Sequence, residues 1–336
     1  MPERQVIKPL LMRQLFTLAA IIFLGILILS PLRPYFSGLF GAVIMYVLTV
    51  GLMRKFTRWG WKRWLSASLL IVLTFFTVLI PIALIILLLT NRIRDVLANS
   101  ERYNYMLQSS IARIENNLGF KITGNFQGEN LEQLISQFVG GAFGSTLDFT
   151  IIIGLMYFSL YFMLIHFDTM KESLRAYIPL SDKNYDRISL ESTEMIKSNA
   201  IAIPVVAFLQ GVVALIGFWI FGAPNPWFWF ALTAVGSMIP FIGTAIGMAP
   251  VIVIMYTQGQ NVEAISLAIY GLLVVGLIDN VFRIILQKKL AEIHPLITLF
   301  GVVIGIPLFG FLGLVFGPLL VSLFLLLVKI YKEQYY

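Results

Sequence analysis

Residues 65–90 read LSASLLIVLTFFTVLIPIALIILLLT, a long run without a charged side chain. A helix rises about 1.5 Å per residue, so this run is long enough to cross a hydrocarbon core about 30 Å thick. Comparable apolar runs occur at residues 15–30, 36–53, 142–166, 200–222, 226–256, 262–282 and 296–328. In lipid the backbone must satisfy its own hydrogen bonds, and runs of this length do so as helices. The sequence therefore predicts an all-α, polytopic integral membrane protein with about eight hydrophobic segments.

Composition supports this fold class and excludes several functions. The chain is 59% hydrophobic and 12% charged, whereas soluble domains are about 25% charged. The net charge of +7 comes from bases in short connectors, which indicates orientation in a lipid bilayer and not nucleic-acid binding. There is no cysteine, no GxxxxGK[ST] motif, and neither His166 nor His294 lies in a metal-binding motif. We expect no enzyme activity, no cofactor and no metal site.

The connector between the second and third runs sets the predicted orientation. It contains five bases and no acid: Arg54, Lys55, Arg58, Lys62 and Arg63. Such connectors stay in the cytoplasm. We therefore expect both termini to be cytoplasmic, in the cell membrane of a bacterium or archaeon. The predicted organisation is residues 1–90 with three transmembrane helices, 91–141 outside, 142–166 as the fourth helix, 167–199 as a cytoplasmic insert, and 200–336 as the C-terminal membrane region.

The polar segments have helical patterns of their own. Residues 91–141 carry apolar side chains near helical spacing, which predicts amphipathic helices at or above the outer surface. Ser181 is a suitable N-cap for a charged helix that continues into the fifth apolar run. The first run lacks a small-x-small cleavage site, so we expect an uncleaved first helix.

Two apolar runs contain helix-breaking residues. As one helix, residues 226–256 would measure about 46 Å, too long for one straight span and too short for two. The interrupting residues are Pro240, Gly243, Gly247 and Pro250 in this run, and Pro307, Gly310, Gly313, Gly317 and Pro318 in the last run. The sequence Ile-Pro-x-x-Gly occurs in both. These features predict two re-entrant or broken helical hairpins, and paired broken segments are typical of a transport site near the bilayer midplane. The alternative is a pair of ordinary kinked helices with glycines for close packing.

A polar pair with one acid lies between the two broken runs. Asp279 and Asn280 occur in the apolar sequence LLVVGLIDNVFRIIL, where a charge costs about 2.5–3.5 kcal/mol at the bilayer centre. Arg283 follows four residues later, on the same helical face. Asp279 is therefore either a structural partner of Arg283 or a proton or cation site. Gln210, in the fifth run, is expected to form an interhelical hydrogen bond. These four residues form the predicted transport or ion site.

The C-terminal third is similar to the autoinducer-2 exporter family, also described as PerM-like permeases. The resemblance is carried by IPFIGTAIGMAPVIV at 239–253, IDNVFR at 278–283 and HPLITLFGVVIGIPLFGFLGLVFGPLLVSL at 294–323, in that order. It implies signal-molecule export, or exchange of sodium or lithium for protons, by a homo-oligomer that is expected to be a pentamer.

The leading hypothesis is a secondary transporter that exports a small solute such as a signalling molecule, with Asp279 binding a cation or proton. The first alternative is a monovalent cation/proton antiporter. The second is a non-transporting membrane scaffold whose surface helices recruit partners.

Overall fold

The computed structural model describes residues 9–98, 146–177, 181–239, 243–277 and 295–335. These ranges contain helices and turns and no strand. The helices are α1 (Pro9–Leu32), α2 (Phe36–Arg58), α3 (Arg63–Ala98), α4 (Thr146–Ile165), α5 (Phe167–Tyr177), α6 (Asp182–Ile220), α7 (Pro226–Gly236), α8 (Gly243–Thr257), α9 (Asn261–Tyr270), α10 (Pro295–Phe309) and α11 (Gly313–Tyr335). Short 3-10 turns occupy Arg33–Tyr35 and Gly310–Leu312, and a π-helical turn, Gly271–Val275, follows α9.

The helices are long and apolar enough for a polytopic membrane protein. Within the described ranges, five stretches qualify as spans by length and hydropathy: Met12–Leu32, Phe36–Arg58, Arg63–Leu89, Asp182–Ile220 and Gly313–Glu333. Shorter apolar helices cover Phe149–Ile165, Gly243–Thr257, Asn261–Val275 and Leu296–Phe309. The predicted fold class is confirmed. The amphipathic helices expected within 91–141 fall mostly outside the described residues, which resume at Thr146.

Helix α6 is the central element of the C-terminal half. It runs unbroken for 39 residues, about 58 Å, and begins directly after Ser181, as the sequence predicts. Its N-terminal half packs through Met195 and Ile196 against α2 and α11. Its C-terminal half packs through Ala214 and Phe218 against α7, α8 and α9. A separate cluster joins α2, α3 and α4.

The first hairpin consists of α7 and α8, which run antiparallel with glycines at their contact. A Cβ added to Gly243 would overlap the backbone of Gly236, and one added to Gly247 would lie 2.6 Å from the backbone nitrogen of Thr233. The two helices have 11 and 15 residues, or about 17 and 22 Å, so neither covers a 30 Å core.

The second hairpin consists of α10 and α11, with the turn at Gly310 (φ +61°). Gly305 lies against Gly313, and a Cβ added to Gly305 would also lie 2.7 Å from the Cα of Gly317. Gly301 lies against Gly317 and Pro318. This hairpin is deeper than the first, because α11 has 23 residues, about 34 Å.

Some breaks lie at the expected residues, since the second hairpin turns at Gly310 and α11 begins at Gly313, but other expected residues lie inside helices. Helix α8 begins at Gly243 and continues through Gly247 and Pro250, while α10 continues through Pro307 and α11 through Pro318. Prolines are tolerated inside membrane helices because neighbouring groups satisfy the freed carbonyl. The glycines at these positions serve mainly for close helix contact.

The ion pairs that the described residues form lie at one end of the molecule. Arg63 of α3 pairs with Asp168 of α5 at 2.8 Å, Arg175 of α5 with Asp182 of α6 at 2.8 Å, and Arg187 of α6 with Glu333 of α11 at 3.3 Å. These pairs bring the 54–64 connector, the 167–199 insert and the end of α11 to the same end. That arrangement agrees with the predicted topology, whose assignment of this end to the cytoplasm stays a prediction.

Candidate functional site

Gln210 lies in the middle of the apolar half of α6 and is 1% exposed. An interhelical hydrogen bond was expected for this side chain. Its acceptor oxygen, Oε1, has no hydrogen-bond partner among the described residues. The next residue, Gly211, lies against α7: a Cβ there would be 2.8 Å from the Cβ of Ala234 and 3.0 Å from Cε2 of Phe230. A buried polar atom without a partner costs about 1–3 kcal/mol. Such a group calls for an explanation such as a water molecule or an ion.

Thr233 of α7 is a second such group. It is fully buried, and its Oγ1 has no hydrogen-bond partner in the described ranges. Other buried threonines donate to a carbonyl of their own helix: Thr49 to Met45 at 2.6 Å and Thr74 to Leu70 at 2.8 Å. Thr233 instead lies against Gly247 of α8, at the contact of the first hairpin. Its hydroxyl therefore has no described partner at this closely packed contact.

Asn199 is the third residue with a buried polar atom that has no described partner. Its Nδ2 is buried without a partner in the part of the chain that the structure describes. Gln210 follows Asn199 by eleven residues, which is about three full helical turns plus about 20° of rotation. Both residues therefore lie on one face of α6, about 16 Å apart. Pro204 lies between them inside the helix. Because proline has no N–H, the carbonyl of Ala200 loses its helical donor.

This face of α6 lies between the two hairpins. At the level of Asn199, neighbouring Met195 and Ile196 pack with Val315 and Phe316 of the second hairpin. At the level of Gln210, α6 contacts the first hairpin through Gly211. We define the candidate site as Asn199, Gln210 and Thr233. The oxygens of Gln210 and Thr233 suit a hard cation or a small polar solute, whereas Asn199, about 16 Å from Gln210, marks a second polar position on the same face of α6.

Several of the other predicted site residues are not described by the structure. Asp279, Asn280 and Arg283 lie outside the described residues, as does Pro240. The chain can be followed to Leu277, through the π-helical turn at Gly271–Val275. Turns of this type occur often at functional sites. Asp279 follows two residues beyond the last described one, and its role stays a prediction.

Sequence reasoning missed Asn199 and Thr233. A threonine or asparagine in a helix is usually satisfied locally, so residue type alone carries little information. The signal that separates Thr233 from Thr49 is the opposed Gly247, which can be recognised only once the hairpin contact is known. Among the described residues, no group of three or more His, Cys, Asp or Glu side chains is placed to hold a metal ion.

A cavity of about 170 Å³ lies between α8 and α9. Its walls are formed by Ile252, Val253, Tyr256, Ala264, Ile265 and Ala268. The walls are almost entirely aliphatic, so this space suits a hydrocarbon chain better than a charged substrate.

Comparison with known proteins gives consistent matches along the chain. Residues 15–333 match the model of a family described as AI-2E family transporter. A Helicobacter pylori (strain J99) protein is 24% identical over 90% of this chain and 91% of its own length. A Buchnera aphidicola (subsp. Baizongia pistaciae) protein is 25% identical over 94% of this chain and 90% of its own. A Treponema pallidum protein is 30% identical over 49% of this chain and 41% of its own. All three carry the name "Putative transport protein".

Proposed function

Because the chain belongs to the AI-2E transporter family, we propose that it is a secondary transporter that exports a small solute, coupled to the movement of a proton or monovalent cation. The observation that carries this proposal is the candidate site on α6 and α7. Asn199 and Gln210 are buried without described partners on α6, and Thr233 is buried without one at the glycine contact within the first hairpin. Secondary transporters build their sites from such discontinuous helices near the bilayer midplane.

The glycine contacts supply a means of movement. Where backbones touch without side chains between them, helices can shift along each other without repacking large groups. The first hairpin has such contacts at Gly236, Gly243 and Gly247. These contacts join α7 to α8, so a small shift of α8 along α7 would give access to the hydroxyl of Thr233. We propose that this shift alternates access to the site.

Ion coupling is assigned to Asp279, with Asn280 and Arg283 beside it in the sequence. An acid in an apolar segment is costly and is therefore a functional-site hypothesis by default. The π-helical turn just before it supports this assignment, because such turns are often retained for function.

A comparison of cells tests export directly. Spent medium is analysed by mass spectrometry from cells that overproduce the wild-type chain or Gln210→Leu, a variant of similar volume without the amide. We expect at least one small solute to accumulate only with the wild-type chain. Equal solute concentrations in the medium of both cultures, with equal amounts of protein in the membrane, would contradict export through this site.

The alternative is a monovalent cation/proton antiporter. The unpartnered oxygens of Gln210 and Thr233 favour it, since oxygen ligands suit hard cations. Sodium- or lithium-induced proton release from inverted vesicles separates the two functions. A cation response without any exported solute supports the antiporter, and a solute without a cation response at any pH supports the exporter.

The surface of α1 bears on assembly. Its span is 0% buried, with Phe16 and Phe23 largely exposed, so it faces lipid or another copy of the chain. We propose a homo-oligomer in the cell membrane, in line with the resemblance. A scaffold without transport remains the rival, and it predicts that Asp279→Asn leaves every phenotype intact.

A further inference from the structure

The connector between α2 and α3 combines two chemistries on one exposed surface. Its five bases, Arg54, Lys55, Arg58, Lys62 and Arg63, are all exposed. Three tryptophans lie among them, with exposures of 62% for Trp59, 41% for Trp61 and 55% for Trp64. We call these eight residues the connector patch. Orientation in the membrane requires the bases but does not require three exposed indole rings beside them.

The backbone of the patch is held in one conformation. The amide of Trp59 donates to the carbonyls of Lys55 and Phe56, and the amide of Trp61 donates to Phe56, each at 3.1 Å. The rings of Phe56 and Trp61 stack at 5.4 Å. Gly60 provides the positive φ of +83° that the turn requires. The patch therefore presents its side chains from a fixed turn.

Three of the bases are positioned by neighbours. The guanidinium carbons of Arg54 and Arg63 lie 5.9 and 5.3 Å from the centre of the Phe167 ring. Arg63 also pairs with Asp168, and Lys55 lies 5.0 Å from the ring of Trp59. Arg58 and Lys62 form no ion pair with any residue that the structure describes. Among the described residues, Asp168 is the one carboxylate that pairs with these five bases, so the patch keeps a clear excess of positive charge.

The residues around the patch indicate the chemistry of a ligand that would fit it. Exposed leucines flank it on the membrane side: Leu52 at the end of α2, and Leu65 and Leu69 at the start of α3. A ligand that satisfies the whole surface carries a negative group for the bases, an interfacial region for the indoles and hydrocarbon for the leucines. A phospholipid combines these three, and basic clusters at the membrane surface bind anionic headgroups.

We propose that the connector patch is a binding site for an anionic phospholipid, with its phosphodiester at Arg58 and Lys62 and its acyl chains along Leu52, Leu65 and Leu69. Arg54 and Arg63, fixed over Phe167, add to the positive field around the headgroup. Trp59 and Trp64 lie at the level of the glycerol and carbonyl groups, where indole rings prefer to be.

The test uses the full-length chain in detergent and native mass spectrometry. Phosphatidylglycerol and phosphatidylcholine with the same acyl chains are titrated separately. We expect phosphatidylglycerol to bind about tenfold more tightly or better. Arg58→Gln combined with Lys62→Gln should weaken its binding by about 25-fold, or about fivefold for each base, with little effect on phosphatidylcholine. Arg58→Lys combined with Lys62→Arg should preserve the preference.

The matched control is Lys329→Gln combined with Lys332→Gln, which removes two exposed charges from the end of α11. It should leave binding unchanged. Equal affinity for the two lipids, or an equal loss in this control, would overturn the proposal. So would displacement of the lipid by about 10 mM inorganic phosphate at constant ionic strength, because the ligand would then be the free anion.

Salt gives a second readout that requires no variant. Raising ionic strength from about 0.05 to about 0.5 M shortens the range of charge interactions, so binding of phosphatidylglycerol by the wild-type chain should weaken while that of phosphatidylcholine should not. Binding that is insensitive to salt would overturn the role of the bases.

Discussion

The first hairpin, α7–α8, and the second, α10–α11, both bring glycines against the backbone of the facing helix, yet they differ in depth. Gly211, near the middle of the apolar half of α6, lies beside Ala234, close to the end of α7. The second hairpin reaches much farther. Its turn lies beside Phe40 and Gly41, near the end of α2 opposite the basic connector, with the rings of Phe40 and Phe309 4.7 Å apart.

The hairpins also differ in polarity and in attachment. The contact of the first contains the unpartnered Thr233, whereas the contact of the second is formed by glycine and Pro318. Each hairpin is held to α6 by an apolar cluster, but α11 is also held by the ion pair of Glu333 with Arg187, whereas no described ion pair joins α7 or α8 to a neighbour. We propose that the second hairpin is the fixed partner and that the shallower first hairpin is the part that moves during transport.

The largest expected effect is on Asp279, which lies between the two hairpins in the sequence. If it is the coupling site, Asp279→Asn should assemble normally and lose ion-coupled transport, and adding Arg283→Gln should not restore it. Transport in proteoliposomes and folded yield from size-exclusion chromatography check both statements. Recovery of transport and yield in the double variant would instead identify a structural ion pair.

The depth of the first hairpin predicts where its ends lie. Cysteines at positions 225 and 258 should be labelled from the same side of the membrane, because neither α7 nor α8 crosses it. The chain has no native cysteine, so each introduced thiol reports alone. Lys62→Cys, in the basic connector, should be labelled from the opposite side. Labelling of positions 225 and 258 from different sides would mean that the chain crosses the membrane between them. That result would contradict a shallow first hairpin.

Fixed packing of the second hairpin predicts a loss of stability on enlarging its contact. In Gly317→Ala the new Cβ would overlap Gly301 and lie 3.0 Å from the Cα of Gly305. We expect a cost of about 1–3 kcal/mol or more, measured by thermal unfolding in detergent. Gly154→Ala in α4 is the matched control, because no atom lies within 4 Å of its added Cβ. There alanine should be neutral or stabilise by up to about 1 kcal/mol. Equal stability of the two variants would show a loosely packed second hairpin.

Much of the fold could be predicted from the pattern of apolar runs. Run length indicated the first hairpin, the repeated Ile-Pro-x-x-Gly pattern indicated the second, and Ser181 marked the start of α6. The difference in depth could not be predicted, because runs 226–256 and 296–328 are nearly equal in length. Helix α11 extends past the end of its apolar run at residue 328, through Lys329 and Lys332 to Tyr335. Arg187 pairs with Glu333 in this extension. That extension depends on a tertiary contact.

The candidate site was only partly predictable. Gln210 is conspicuous as an amide in an apolar run, and it is buried as such a residue would be. Thr233 resembles any threonine in a membrane helix, and its lack of a partner follows from the approach of α8 at Gly247. Local sequence predicts helix formation well, but hydrogen-bond satisfaction at a helix contact depends on which residues meet across it.

The most direct test of the transport site replaces the Thr233 hydroxyl by a methyl group. Because that hydroxyl has no partner, Thr233→Val should leave thermal stability unchanged or slightly raised, yet reduce transport by about tenfold or more. Thr49→Val is the control: its hydroxyl bonds the Met45 carbonyl, so the variant should lose about 0.5–1.5 kcal/mol and keep its transport. Wild-type transport rates in Thr233→Val, at equal protein in the membrane, would contradict a site between α6 and the first hairpin.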